Sequence, residues 1–362
     1  VCGSCWKVQV LVRHLHFSMS QVVETSKSSA SISTMRRSAR LQQKPSIEDT
    51  LRDDVESPAP KKVKRAATHE AELPLLSEDQ VALCTTLAQP RLSFSLEDAR
   101  DHLCKVDARF SSLFAQMDLK AYKDLESSKE LNLFRVLTTS ILGQQISWMA
   151  ARSIVYKFCR LFSPHLPKDP DMNHVNRDEL PFPTPLQLLQ ATDEQLRSAG
   201  LSMSKIKYVR DVAQRFGDGR LDVRRIVHLD PETCIQELTE IKGVGRWTAE
   251  MLLMFALRSP DILPVGDLGV QRGIVRFYLS NAASLTVSER KRKADYASQK
   301  GEDQPGPLPP GPISHAELKN RSNGNKTKKK MYLDDHEMVA LAAPWAPYRS
   351  VACMFMWSIE DH

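Results

Sequence analysis

The chain of 362 residues carries 50 Lys and Arg against 44 Asp and Glu, a formal net charge of +6, and 41% of its residues are hydrophobic. This length and apolar content are sufficient for one large or two small globular domains, and the mild basic excess is compatible with a nucleic-acid partner without requiring one. The seven scattered cysteines argue against a disulfide framework, and no run of 18 apolar residues predicts a membrane span.

The spacing of the cysteines also speaks against a metal centre. Cys2 and Cys5 lie close together, but no second pair follows to complete a zinc site. No cysteine quartet lies near the C-terminus, so an iron–sulfur cluster is not expected. The sequence therefore predicts a protein without a cofactor.

Residues 1–76 are predicted to form a disordered basic tail that carries a targeting signal. Pro60 to Arg65 is a compact basic cluster that resembles a nuclear import signal, and a solvated basic stretch is an equally weighted interpretation. Residues 1–47 contain a single acidic residue, Glu24, a composition shared by disordered tails and mitochondrial transit segments. We expect nuclear localisation, with the mitochondrion as the alternative.

From about Ser77 the pattern becomes helical, and it predicts one helical domain over residues 77–282. Leu131 to Phe162 has apolar residues on more than one face, which is typical of a core helix or helix pair. Pro164 to Pro185 is predicted to be a loop, and Pro185 suits the first position of the next helix.

A glycine turn at Gly200 precedes a predicted helix from Met203 to Phe216, which Ser202 can cap. Basic side chains line this helix, and they either contact phosphate or simply face water. Among these basic residues, Lys205 is the predicted DNA contact.

Residues 283–330 combine proline, glycine and lysine clusters, and this composition predicts a disordered insertion. Residues 331–362 again have an apolar sequence pattern and are predicted to supply the final core helix of the domain.

The segment 231–257 predicts two helices joined by a tight hairpin. Pro231 can open the first helix, and Gly243 and Gly245 allow the positive φ values and close approach of a tight turn. The second helix begins at Arg246, where free backbone N–H groups, including that of Trp247, form an anion site. Such a site grips a DNA phosphate without reading the base sequence.

Asp267 follows this hairpin after one helix and one loop, at the start of a further helix. Its carboxylate can cap that helix, and it can also stabilise the positive charge that develops on a sugar when an N-glycosidic bond breaks. Both roles are open on the sequence, and they are compatible.

Four motifs in order resemble the helix-hairpin-helix DNA glycosylase superfamily, in its 3-methyladenine DNA glycosylase branch of bacterial and fungal proteins. They are Ser140–Ser147, Ala199–Ser202, Gly245–Ala249 and Trp345–Ser350. The resemblance implies an all-α fold of two helical lobes with an active-site cleft between them, together with a disordered N-terminal tail and a disordered insertion.

The same resemblance implies that Asp267 is the catalytic aspartate, which assists water to attack the sugar as the damaged base leaves. Relatives that cut the strand through a Schiff base carry a lysine where this chain has Trp247, so we expect a monofunctional enzyme. Because N-alkylated purines are cationic, aromatic faces suit their pocket. The predicted pocket residues are Trp247, Trp345, Tyr348 and Met251; each tryptophan or tyrosine could instead be a core residue, and Met251 stands where the bacterial pattern has an aromatic.

Gln145 occupies the position at which an apolar side chain of the family fills the gap left by the flipped nucleotide. A structural interpretation of Gln144 and Gln145, as turn or capping residues, stays open. The predicted DNA contacts are Gly243, Val244, Gly245, Arg246, Thr248, Gln144, Gln145, Ser147 and Lys205. The family also implies a monovalent cation, Na⁺ or K⁺, on the backbone carbonyls of Thr239, Ile241 and Val244.

We therefore expect a monomeric glycosylase that acts on double-stranded DNA with alkylated purines, such as 3-methyladenine or 7-methylguanine, and leaves an abasic site. One alternative is a non-catalytic helix-hairpin-helix module that only binds DNA. A second is a glycosylase for oxidised or mismatched bases, against which the tryptophan at 247 and the missing cysteine quartet count.

Overall fold

The computed structural model describes residues 73–88, 92–117, 119, 130–177, 179–280, 306–311, 313–324 and 332–360. The predictions for the N-terminal tail and its basic cluster lie outside these residues, apart from 73–76. Residues 283–305, 312 and 325–330 of the predicted insertion lie outside them as well.

The described residues are mostly helical, which confirms the all-α prediction. A single short antiparallel ribbon pairs β1 (Thr86–Ala88) with β2 (Glu130–Asn132) in these ranges, with Leu87 opposite Leu131. In chain order the helices are α1 (Glu78–Thr85), α2 (Leu96–Val106), α3 (Arg109–Gln116), α4 (Leu133–Gly143), α5 (Trp148–Phe162), α6 (Pro185–Gln190), α7 (Asp193–Ser198), α8 (Met203–Gly217), α9 (Val223–Ile226), α10 (Pro231–Thr239), α11 (Arg246–Phe255), α12 (Leu268–Leu279), α13 (His315–Ser322), α14 (Asp335–Ala342) and α15 (Arg349–Glu360). A 3₁₀ turn, Ala343–Trp345, follows α14.

Most helices begin where a short polar side chain satisfies the free N–H groups of the first turn. Ser77 and Thr184 form capping boxes with the glutamine three residues later, and Pro185 stands at the first position of α6. Ser202 caps α8, and Gly200 before it has a φ of 94°, as the sequence predicted. These boundaries are therefore local consequences of the sequence.

The helices pack in two groups around one continuous hydrophobic core. In one group α8 packs against α4, α6 and α7, and α4 packs against α5; this group also holds α1, α9 and the ribbon. In the other group α12 packs against α13, α14 and α15, while α2 and α3 pack together. The hairpin helices α10 and α11 pack on each other, so the chain has the two helical groups that the prediction of two lobes requires.

Two glycines allow α12 and α15 to approach closely. A Cβ at Gly273 would stand 2.2 Å from the carbonyl oxygen of Met356, and a Cβ at Gly269 would stand 2.9 Å from Cδ1 of Trp357. No side chain fits in either place without moving the neighbouring helix. The small residues of α12 therefore set how near α15 lies.

Two parts of the chain differ from the sequence prediction. Part of the predicted insertion forms α13, which packs on α12 with Leu318 fully buried, because Ile313 and Leu318 give it an apolar side and Ser314 with Glu317 caps it. The segment expected to form one final helix forms both α14 and α15, separated by the 3₁₀ turn. Within the ranges that the structure describes, no helix is long and apolar enough to cross a membrane.

Candidate active site

The hairpin between α10 and α11 is a tight turn that depends on Gly243. Gly243 has a φ of 85°, and a Cβ there would stand 2.3 Å from Cδ2 of Tyr208 on α8. The turn is closed by the Val244 N–H, which donates to the Ile241 carbonyl at 3.0 Å. Glycine is required here for both reasons, since the left-handed conformation and the contact each exclude a side chain.

Gly245 leaves the start of α11 open. It is the N-cap of α11, no side chain accepts a hydrogen bond from the first turn, and nothing lies within 4 Å of a Cβ placed on it. The exposed N–H groups of this turn therefore have space for an anion, in agreement with the predicted phosphate site.

Helix α8 holds the hairpin in place through backbone groups. The Asp211 carboxylate accepts a hydrogen bond from the Lys242 N–H at 2.9 Å, and Arg215 donates to the Glu240 carbonyl at 3.0 Å. From the other side, the Gln144 side-chain amide donates to the Gly243 carbonyl at 2.9 Å. The hairpin is thus fixed from two directions before any DNA binds.

Asp267 is buried and its carboxylate accepts three hydrogen bonds. Oδ1 accepts from the Val270 N–H at 2.9 Å and from the indole N–H of Trp357 at 2.9 Å, and Oδ2 accepts from the indole N–H of Trp247 at 2.7 Å. Both roles expected of Asp267 are thus compatible with the structure, because it is the N-cap of α12 and also faces two aromatic rings. Three donors fix the orientation of the carboxylate.

The carboxylate is closed off from solvent in this conformation. Asp267 is 2% exposed, so the predicted cleft does not reach it. The indoles cover it, and Trp247 is the more exposed of the two, since Trp357 is only 7% exposed and stacks on Phe255 at 5.8 Å.

Trp357 is the site residue that the sequence interpretation missed. It lies in α15, for which the sequence predicts only a core helix. It reaches Asp267 because Gly269 and Gly273 allow α15 to pack closely against α12. The available signal was the pair of glycines four positions apart directly after Asp267, which indicates close helix packing.

The structure does not bring the predicted pocket residues Trp345 and Tyr348 to Asp267. Trp345 is fully buried and its ring contacts Phe110, Phe277 and Tyr278 at centroid distances of 5.6 Å, 5.6 Å and 6.2 Å. We therefore assign Trp345 to the core, where an aromatic cluster between α3 and α12 surrounds it. In the site, Trp357 takes the place expected for Trp345.

Tyr348 is half-buried on a different surface, where its ring contacts those of Phe94 and His102. Met251 is fully buried in α11, four residues after Trp247. Neither is among the residues that donate to the Asp267 carboxylate, so their pocket roles remain predictions.

The motif Trp345–Ser350 instead anchors the loop that leads to Asp267. Arg349 forms a bidentate ion pair with Asp261 at 2.6 and 2.8 Å, and the Ser350 hydroxyl accepts a hydrogen bond from the Ile262 N–H at 2.9 Å. The Asp261 carboxylate raises the pKa of the Arg349 guanidinium. This motif is therefore a clamp between α15 and the loop before α12.

Gln145 has the geometry of an exposed projection. Its φ is 61°, which is uncommon for a residue with a side chain, and it is exposed between α4 and α5. Gln144 next to it is bonded to the hairpin, and Ser147 caps α5 by accepting from the Ala150 N–H at 3.2 Å. Gln144 therefore has a structural contact as the C-cap of α4 and a donor to the hairpin, whereas Gln145 projects from the surface; the DNA contacts of both stay predictions.

Two predicted DNA contacts are engaged within the protein. The Lys205 ammonium donates to the Leu142 carbonyl at 2.7 Å, and burial lowers the pKa of this amine. Arg246 donates both terminal nitrogens to Glu232 at 2.9 and 2.8 Å and its Nε to Glu250 at 3.0 Å. Either side chain would have to leave these partners in order to bind a phosphate. Thr248, a third predicted DNA contact, is buried.

The backbone carbonyls of Thr239, Ile241 and Val244 offer neutral oxygens on one turn. The Ile241 carbonyl accepts the Val244 N–H and keeps a second lone pair. Neutral carbonyls without a carboxylate suit a monovalent cation in chemical type, whereas divalent ions favour anionic ligands. In the described part of the chain, no cluster of His, Cys, Asp or Glu could hold a metal ion.

Comparison with known proteins finds similarity to DNA repair enzymes. Residues 138–297 match the model of the HhH-GPD superfamily base excision DNA repair protein. DNA-3-methyladenine glycosylase 1 of Schizosaccharomyces pombe is 29% identical over 180 residues, which cover 49% of this chain and 72% of that protein. DNA-3-methyladenine glycosylase of Saccharomyces cerevisiae is 26% identical over 269 residues, which cover 73% of this chain and 79% of that protein.

Among solved structures, DNA-3-methyladenine glycosidase from Bacillus halodurans aligns with a TM-score of 0.45 at 26% identity, covering 76% of this chain and 92% of that one. Over residues 138–297 the chain has the sequence of an HhH-GPD superfamily base excision DNA repair protein, and it is a DNA glycosylase. Within that superfamily its curated relatives include DNA-3-methyladenine glycosylases from fungi and bacteria, so the resemblance inferred from its motifs is confirmed.

Proposed function

We propose that this chain excises alkylated purines from double-stranded DNA by hydrolysing the N-glycosidic bond, with Asp267 as the catalytic residue. The observation that carries the proposal is the buried carboxylate of Asp267, which two indole N–H groups and one backbone N–H hold beside the hairpin helix. The names of the fungal and bacterial relatives support the substrate class.

The reaction follows from the charges. An N-alkylated purine is cationic, and when the bond from the sugar C1′ to the base nitrogen breaks, the electron pair leaves with the base. Positive charge then moves onto the sugar, where the Asp267 carboxylate stabilises it until water adds to C1′ and loses a proton. The start of α11 holds the DNA backbone, and Gln145 fills the gap left by the flipped nucleotide.

Trp247 and Trp357 have two functions in this proposal. Their N–H groups orient the carboxylate, and their ring faces attract the cationic base by about 0.5–2 kcal/mol. Because an indole stands at position 247, no amine is available there to form a Schiff base, and the enzyme is monofunctional. It leaves an intact strand with an abasic site.

The test is single-turnover release of 3-methyladenine from methylated duplex DNA by wild type and by Asp267→Asn. The asparagine can still accept the Val270 N–H and so keeps the helix cap, but it carries no charge. We expect excision to fall by about 10³-fold or more, as is usual when the main electrostatic group is removed, while the affinity for DNA stays within a factor of three.

Wild-type rates in Asp267→Asn would refute the assigned mechanism. A wild type that binds DNA but releases no base would support the alternative of a non-catalytic module. Release of oxidised or mismatched bases in preference to alkylated ones would support the second alternative. Strand breaks without added base or amine would contradict the monofunctional assignment.

A further inference from the structure

Glu250 is a buried carboxyl group in the same helix as Trp247. It lies three residues further along α11, so the two side chains occupy neighbouring positions about 4.5 Å apart along the helix axis. The residue is 4% exposed, and the hydrogen bond that its carboxylate accepts comes from Nε of Arg246 at 3.0 Å. None of the sequence motifs assigns a role to it.

Arg246 neutralises Glu250 only in part, since it is shared with a second carboxylate. Both of its terminal nitrogens bind Glu232 on α10, and the Arg246 and Glu232 side chains are each 55% exposed. One exposed guanidinium therefore faces two carboxylates, and the buried one receives a single hydrogen bond. By contrast, Asp267 receives three.

The charged and titratable groups that face Glu250 come from four helices. They are Arg246 on its own helix, Glu232 on α10, Asp267 at the start of α12 and the fully buried thiol of Cys353 on α15. Burial raises the pKa of Glu250 to about 7; Arg246 opposes this, and the negative charges of Glu232 and Asp267 add to it. With this pKa the charge of the Glu250 carboxyl, which lies one turn along α11 from Trp247, changes near neutral pH.

We propose that Glu250 is a second electrostatic residue for excision, whose ionised form adds its negative charge to that of Asp267 from one turn along α11 and favours the departure of a cationic purine. The inference rests on the proposed function. Its physical basis is that positive charge moves from the base onto the sugar during bond cleavage, towards Asp267, whose Oδ2 accepts the indole N–H of Trp247 at 2.7 Å, and Trp247 lies three residues before Glu250 on α11. A second carboxylate there lowers the energy of that redistribution, and a neutral carboxyl does not.

The experiment is the pH profile of single-turnover 3-methyladenine release between pH 5.5 and 8.5 on full-length protein. In wild type the rate rises by about tenfold through an inflection near pH 7 as Glu250 ionises. In Glu250→Gln, which keeps the shape and can still accept the Arg246 N–H, the rate changes by less than about twofold and stays near the wild-type value at low pH.

Glu232→Gln is the matched control, since it removes the exposed partner of Arg246 and leaves Glu250 in place. Its inflection is retained but moves to lower pH, because Arg246 then serves Glu250 alone and one repelling charge is gone. The plateau rates at high and low pH stay as in wild type.

A second measurement does not depend on activity. A carboxyl group that binds its proton more tightly in the folded chain contributes stability that is complete below its ordinary pKa of 4.5 and is lost as the pH rises through about 7. The melting temperature of wild type should therefore fall relative to that of Glu250→Gln, by on the order of 5 °C, between pH 5 and pH 8.

An unchanged inflection in Glu250→Gln, or an equal loss of rate at every pH, would overturn the proposal. So would a melting-temperature difference between the two proteins that is independent of pH. If wild type released no 3-methyladenine at any pH, the proposed function would fail, and the melting curves would still report whether Glu250 titrates.

Discussion

The hydrogen bond from Trp357 to Asp267 offers the sharpest test of how this site works. Trp357→Phe keeps an aromatic ring beside Phe255 and removes only the pyrrole edge with its N–H. Oδ1 of Asp267 still accepts the Val270 N–H at 2.9 Å, so the helix cap survives. The substitution therefore removes one of three fixed donors from a carboxylate that is 2% exposed.

The expected magnitude follows from that geometry. A hydrogen bond to a charged group contributes about 1.5–3 kcal/mol in a buried site, which corresponds to a rate change of about 10- to 100-fold if the oriented carboxylate is needed in the transition state. We expect the single-turnover rate of 3-methyladenine release to fall by this factor. The dissociation constant for DNA should change by less than about threefold, because the hairpin that holds the backbone is untouched.

Trp345→Phe is the matched control. It makes the same chemical change at a tryptophan that contacts Phe110, Phe277 and Tyr278 instead of Asp267. Measured well below its melting temperature, this variant should excise at the wild-type rate although its unfolding free energy is lower. The reasoning is refuted if Trp357→Phe excises normally, or if Trp345→Phe loses as much activity as Trp357→Phe.

Two further pairs of substitutions test the scaffold. Gly243→Ala forces a side chain into a left-handed conformation and against Tyr208, so urea unfolding should show that the free energy of unfolding falls by about 1–3 kcal/mol. Gly245→Ala should keep the wild-type stability, but its affinity for DNA, measured by fluorescence anisotropy, should be weaker. A Gly245→Ala variant with wild-type affinity would contradict close approach of a phosphate at that residue. Leu318→Ala should lower the unfolding free energy by about 2–4 kcal/mol, and the exposed Leu83→Ala by less than about 0.5 kcal/mol; equal effects would show that α13 contributes nothing to the core.

Those parts of the molecule that depend on neighbouring residues could be predicted from the sequence. Ser202 before α8, Pro185 at the start of α6 and the hairpin glycines were placed correctly because each acts within one turn of its own position. Asp267 as a cap belongs to the same class, since its partner is the N–H three residues later.

The remaining parts depend on contacts between distant segments, on which local patterns carry little information. Trp345 and Trp357 are both tryptophans in apolar surroundings near the C-terminus, and the motif around Trp345 favoured that residue. Helix α12 determines which of the two reaches Asp267. Its glycines allow close packing of α15, and this packing brings the ring of Trp357 to Asp267. The helix α13 was missed for a related reason, because Ile313 and Leu318 are too few to outweigh the proline and lysine clusters around them.

The register between the DNA backbone and the carboxylate is set mainly by α11. In the proposed function the open first turn of this helix at Gly245 receives the phosphate. The same turn carries Trp247, which donates to Asp267, and Glu250 follows three residues later. A rigid helix fixes these positions relative to one another at 1.5 Å per residue, so a phosphate gripped at the start of α11 lies at a set distance from the indole. The segment from the hairpin glycines to Asp267 therefore predicts a phosphate site and a carboxylate that lie near each other, whereas it carries no information on the second indole, which another helix supplies.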